Sequence, residues 1–136
     1  MLATSELFIA ALLDETDLLR ELLGHGANPN ETDEMGFTPL HLAVRGCSVV
    51  GVRELLGAGA DVDATTTPGG WTPLMEWVFY TNGQHDVPEM LCAAGADVDR
   101  VNRHGRSALD LAREYQDYDL EWLLSGYAHN PSNLRG

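Results

Sequence analysis

Apolar residues in this chain come in short blocks, and the blocks repeat. The segment Gly36-Phe37-Thr38-Pro39-Leu40-His41-Leu42-Ala43 returns as Gly70-Trp71-Thr72-Pro73-Leu74-Met75-Glu76-Trp77. It returns again, in weaker form, as Gly105-Arg106-Ser107-Ala108-Leu109-Asp110-Leu111-Ala112. The leading glycines lie 34 and then 35 residues apart. A second phrase keeps step with the first: Gly26-Ala27-Asn28-Pro29-Asn30, Gly59-Ala60-Asp61-Val62-Asp63 and Gly95-Ala96-Asp97-Val98-Asp99. Self-similarity at this period predicts a stack of helical hairpins, each burying its neighbour. Thr38-Pro39 and Thr72-Pro73 predict helix starts, because a threonine oxygen caps free N–H groups and proline at the first position loses no hydrogen bond. Gly59 and Gly95, just after apolar runs, predict left-handed helix ends. The Asp and Asn residues that follow suit a tight turn.

The two phrases resemble ankyrin repeats. Their motif is G-x-T-P-L-H-x-A, followed by L-L-x-x-G-A-D-V-N/D, which Leu55–Asp63 matches. The resemblance covers about residues 4–126. It implies an all-α ankyrin-repeat solenoid of four helix-turn-helix repeats joined by short β-turns. A capping repeat is expected over 4–34, with helices near Ser5–Leu13 and Asp17–Leu23. Full repeats are expected over 35–68 (Pro39–Arg45, Val49–Leu56) and 69–103 (Pro73–Tyr80, Val87–Cys92). A closing repeat over 104–126 carries Ala108–Tyr115 and Tyr118–Leu124. Residues 1–126 form the repeat domain, and the unpatterned tail 127–136 is expected to fray.

Composition narrows the partners. The chain has 21 acidic residues against 8 arginines, no lysine, and a net charge of −13. That argues against nucleic acid and anionic membrane, which need cationic surface. It favours a basic protein partner, steered in by charge. No stretch reaches the length of a membrane helix, and Met1–Ala11 reads as a repeat helix and not as a signal peptide. Cys47 and Cys92 have no metal-type spacing and read as reduced thiols of a cytoplasmic protein. A lysine-free composition rich in Ala, Gly, Arg and Asp points to a GC-rich, bacterial coding sequence. The free chain is expected to be a monomer.

The residues that the repeat does not require carry the functional information. Trp77 stands where the other repeats have Ala10, Ala43 and Ala112. Leu40 and Gly59 are 19 residues apart, but Leu74 and Gly95 are 21 apart, the extra length falling in Tyr80–Asp86. Pro88 then predicts a late, short second helix. Trp77 is read as filling space that the longer loop opens. His41 is read as a structural member of the turn network, as the resemblance implies. The clusters Asp14–Asp17 and Asp117–Asp119 are read as caps and dipole partners of second helices.

Ankyrin repeats bind through turn tips and the exposed side of each first helix. Carried over residue by residue, those positions give Glu34, Met35, Phe37 and Arg45 in the first full repeat. The next gives Pro68, Gly69, Trp71, Phe79 and Tyr80, with His85 in its long loop. The closing repeat gives Arg103, His104, Arg106, Glu114 and Tyr115. Met35, Phe37, Arg45, Trp71, Phe79, Tyr80, His85, Arg103, Arg106 and Tyr115 are therefore the expected contact residues. Five of the chain's ten aromatics fall among them, and Trp, Tyr and Arg dominate binding energy at interfaces. Phe37 and Phe79 are also placed to pack against neighbouring repeats.

Catalysis is not expected. There is no G-x-S-x-G, H-E-x-x-H, C-x-x-C or phosphate loop, and no cofactor or metal is implied. The expected function is binding of one partner protein through a concave aromatic face. Size and charge suggest an inhibitor or immunity protein that occludes a basic toxin or enzyme. The alternative is a structural or accessory subunit that self-associates or scaffolds a larger enzyme. A third reading is a small-molecule or metal site around Trp77, Tyr80 and His85.

Overall fold

The computed structural model describes residues 5–81 and 86–128. Its helices are α1 (Glu6–Leu12), α2 (Thr16–Gly24), α3 (Pro39–Arg45), α4 (Val49–Gly57), α5 (Pro73–Tyr80), α6 (Asp86–Ala93), α7 (Ala108–Glu114) and α8 (Tyr118–Ser125). The odd helices pack in series, α1 on α3, α3 on α5 and α5 on α7, and α2, α4 and α6 form a second row. Among the described residues there is no strand, only an isolated bridge between Val101 and Ser107. The chain is an all-α solenoid of stacked helical hairpins, the architecture that the resemblance implies.

Each odd helix starts the same way. The hydroxyls of Ser5, Thr38, Thr72 and Ser107 accept hydrogen bonds from the N–H groups of Leu7, His41, Met75 and Asp110. Such a cap stabilises a helix by about 1 kcal/mol. The ends of α2, α4 and α6 are also alike. Gly26, Gly59 and Gly95 take φ of 93°, 97° and 98°. Ala27, Ala60 and Ala96 then donate back to the carbonyls of Leu22, Leu55 and Leu91, closing orphan carbonyls without a Cβ penalty.

The core runs along the stack. Leu40 and Leu74, at the same place in the phrase, are buried, as are Ala10, Ala43 and Ala112. Trp77 takes the alanine position in α5 and is also buried. Arg113 stands where Val44 and Val78 are buried against the next repeat, and it pairs instead with Glu121 (2.9 Å) and Asp110 (3.9 Å). The last described repeat thus has a charged outer face, as a capping repeat requires.

Two expectations need correction. Asp14–Asp17 does not cap α2: Glu15 holds the N-cap position with no side-chain hydrogen bond. Asp14 instead accepts from Ser48 Oγ at 2.5 Å, and Ser48 in turn caps α4. Asp117 does cap α8, accepting from the N–H of Leu120 at 3.0 Å. The second helix of the long repeat begins at Asp86, one residue before the expected Val87, and has eight residues against nine in α4. Pro88 sits in its first turn, where the missing N–H breaks no helix bond. The long loop at 82–85 lies outside the described residues.

Candidate functional site

The turn tips are stitched to one another before any side chain is considered. The N–H of Thr67 donates to the carbonyl of Met35 (2.7 Å), and that of Arg103 donates to Gly69 (2.9 Å). Gly36 makes the first contact possible. Its φ is 78°, and a Cβ there would lie 2.9 Å from Thr67 Oγ1. The imidazole of His41 braces the same joint from inside. Its Nε2 donates to the Trp71 carbonyl (2.9 Å), and Nδ1 accepts from the Thr38 N–H (3.1 Å). Burial lowers its pKa from 6.5, despite the Trp71 carbonyl, so the ring is neutral. His41 is structural, as the sequence implies.

A cavity of about 250 Å³ opens where tips and odd helices meet. The second turn tip, Thr66–Gly69, forms one wall, and the C-terminal ends of α3 and α5 form the other. Arg45 is fixed on its lining. Its Nε donates to Glu76 Oε1 at 2.6 Å and its NH2 donates to the Tyr80 hydroxyl at 3.1 Å. The guanidinium lies 4.6 Å from the Phe37 ring centroid and 4.4 Å from that of Tyr80. Each such cation–π contact contributes about 0.5–2 kcal/mol. Phe79 extends the aromatic surface, edge-to-face on Trp71 (5.2 Å), Tyr80 (4.8 Å) and Tyr115 (6.1 Å).

Six expected contact residues line this cavity: Met35, Phe37, Arg45, Trp71, Phe79 and Tyr80. Tyr115 joins them through Phe79. Phe37 and Trp71 are half-buried, and Phe79 and Tyr80 remain 47% and 53% exposed. Phe37 also packs edge-to-face on His41, so it serves scaffold and surface together. Arg103 and Arg106 lie on the next tip, outside the cavity, and Arg106 is paired with Glu114. His85 falls outside the described residues.

Three residues were missed by the sequence reading. Glu76 is a buried carboxylate, 3% exposed. The signal was present, because Ile9, Leu42 and Leu111 hold its place in the other first helices. Trp122 and Tyr118 on α8 are 79% and 68% exposed. Trp122 occupies the place of Arg20 and Arg53 in α2 and α4, on the outer row and away from the cavity. Cys47 and Cys92 are both free thiols. Burial, then Asp63 and Glu89, pushes the Cys92 thiol up to about 12. Among the described residues no cluster of His, Cys, Asp and Glu could hold a metal ion, and no helix is long and apolar enough to cross a membrane.

Comparison with known proteins agrees with this architecture. The profile for ankyrin repeats in three copies matches residues 4–66, and that for a single ankyrin repeat matches 69–103. The chain is 34% identical over 130 residues to the glycerophosphocholine phosphodiesterase gde1 of Schizosaccharomyces pombe, covering 95% of this chain and 10% of that one. It is 32% identical over 127 residues to the tyrosine-protein kinase Shark of Drosophila melanogaster, covering 93% and 13%. A putative ankyrin repeat-containing protein of Treponema pallidum is 32% identical over 127 residues, covering 93% and 42%. The chain thus spans about a tenth of the first two relatives and under half of the third. On its repeats and its stacked hairpins, the chain belongs to the ankyrin-repeat family.

Proposed function

We propose that this chain binds a partner protein through the concave face formed by its turn tips and odd helices, centred on the Trp71–Phe79–Tyr80 surface. Ankyrin repeats are protein–protein interaction modules and generally not enzymes. The phosphodiesterase and the kinase are matched only over a small share of their length, so their names carry no chemistry to this chain. The observation that carries the reading is the aromatic cavity itself. Phe79 and Tyr80 are exposed, Phe37 and Trp71 are half-buried, and Arg45, held by Glu76, packs on the rings of Phe37 and Tyr80. A surface fixed before binding loses less side-chain freedom on association.

The net charge of −13 supports a basic partner and fast, salt-sensitive association. In the finer reading the chain is an inhibitor, or immunity protein, that covers a cationic cleft; only size and charge support that step. The free thiols suit a reducing, cytoplasmic setting. The accessory-subunit reading is favoured by a different observation: the matched relatives carry this stretch as a small part of larger proteins.

The test is affinity capture from the native organism's lysate with wild type and a folded Trp71→Ala/Tyr80→Ala variant. A protein held by wild type and lost by the variant supports the concave face. Loss of that protein's activity on binding supports inhibition, and unchanged activity supports the accessory role. Equal retention by both baits contradicts the concave-face reading.

A further inference from the structure

The cavity cancels its own charge. Arg45 and Glu76 pair on its lining, so a ligand meets a compensated ion pair among the rings of Phe37, Trp71 and Tyr80. At about 250 Å³ it is smaller than the ~300–1,000 Å³ of small-molecule sites, and suits one large side chain. Unbalanced charge sits on the two flanking tips instead. Glu34 is exposed beside Met35 on one side, and Arg103 is exposed beyond Gly69 on the other. Neither makes an ion pair among the described residues.

The backbone fixes the order of these features. Met35 is bonded to Thr67, and Gly69 to Arg103, so acidic tip, cavity tip and basic tip follow in line. Successive tips are separated by one helix-packing step of about 8–10 Å, which puts the outer two roughly 16–20 Å apart. An extended chain rising about 3.3 Å per residue covers that in about five or six residues.

Resting on the concave-face reading, we propose that the cavity takes one large apolar side chain from an extended partner segment. That segment carries a basic residue on one side, facing Glu34, and an acidic residue on the other, facing Arg103. The two charges lie about five or six residues apart. The aromatic cavity anchors the segment, and the tips set its direction.

The experiment is selection from a random 12-residue peptide library displayed on phage, with the full chain as bait. The expected winners carry a central large apolar residue between Lys or Arg and Asp or Glu at that spacing. Their affinity should fall about three- to fivefold with Glu34→Arg or Arg103→Glu, as for exposed ion pairs. It should return when the facing charge on the peptide is reversed. Winners that lose binding in Trp71→Ala/Tyr80→Ala but ignore both charge reversals overturn the proposal and leave the concave-face reading intact. Winners that bind the aromatic variant undiminished overturn both. Failure to enrich any peptide overturns the extended-segment proposal.

Discussion

The first helices of the two full repeats open alike and end differently. Thr38-Pro39-Leu40 and Thr72-Pro73-Leu74 start α3 and α5 with the same cap and the same buried leucine. Four to eight residues after the cap the two helices part. Where α3 and the residue after it have Leu42, Ala43, Arg45 and Gly46, α5 has Glu76, Trp77, Phe79 and Tyr80. Trp77 changes the interior, while Phe79 and Tyr80 change the surface. Glu76 joins the two helices, since its carboxylate holds Arg45 of α3. Inward positions of one short helix adjust packing, and outward positions of the same helix reshape the surface. The cavity lies at the joint between the regular helix and the divergent one.

The comparison breaks most visibly at Trp77. Trp77→Ala restores the alanine of α3 but leaves α5 with a cavity, and should destabilise the fold by about 3–5 kcal/mol in urea unfolding. A loss under 1 kcal/mol would mean that Trp77 does not fill the interior. Arg45→Ala should cost about 1–3 kcal/mol, because it strands a buried carboxylate. Adding Glu76→Leu, the residue α3 has there, should recover most of that loss. A double variant no more stable than the single would show that the pair contributes little through Glu76.

His41 separates the two helices by pH, since α5 has Met75 in its place. Its folded pKa lies below 6.5, so below pH 6.5 the unfolded chain takes up a proton that the folded chain resists. Stability from this residue is full above that pH and is lost as pH falls toward the folded pKa. His41→Gln should flatten the stability profile below pH 6.5; an unchanged slope would contradict the buried neutral ring.

The smallest effect concerns the outer turns. Asn30 accepts from the N–H of Asp61 and donates to the carbonyl of Gly59. Asp63 does only the first, accepting from Asp97. Burial, with Asp97 and Asp61 nearby, raises its pKa from 3.8, so the ionised form is disfavoured in the fold. Asp63→Asn should therefore stabilise the chain at pH 7 by about 0.5–1 kcal/mol, the net worth of one hydrogen bond. The charge part of that gain should shrink as pH falls and vanish only well below 3.8, where the aspartate is protonated in both states.

What the sequence made legible follows the same division. Positions fixed by the repeat were readable because one physical need recurs. α3 and α5 lie at the expected Pro39–Arg45 and Pro73–Tyr80, and His41 takes its structural place. Departures were readable as departures, but not in what they touch. Trp77 was marked as an oddity, whereas the Arg45–Glu76 pair was not foreseen, because it joins residues 31 apart on two helices. Asp14 was misread for a related reason. Its nearest helix in sequence is α2, but its partner is Ser48, one repeat away. Trp122 lies outside the turn tips, and its one signal is an aromatic ring where α2, α4 and α6 have Arg20, Arg53 and Glu89.

Trp71, just before α5, and the outward aromatics of α5, not those of α8, are the proposed contact surface. The direct test is partner affinity by titration calorimetry for two variants of verified folding, Trp71→Ala/Tyr80→Ala and Tyr118→Ala/Trp122→Ala. The ligand would be the captured protein or a selected peptide. The expected loss is about 2–4 kcal/mol for the first pair, as for interface hot spots, with wild-type affinity for the second. Unchanged affinity in the first pair with loss in the second would move the interface to α8 and contradict a contact surface at Trp71 and Tyr80.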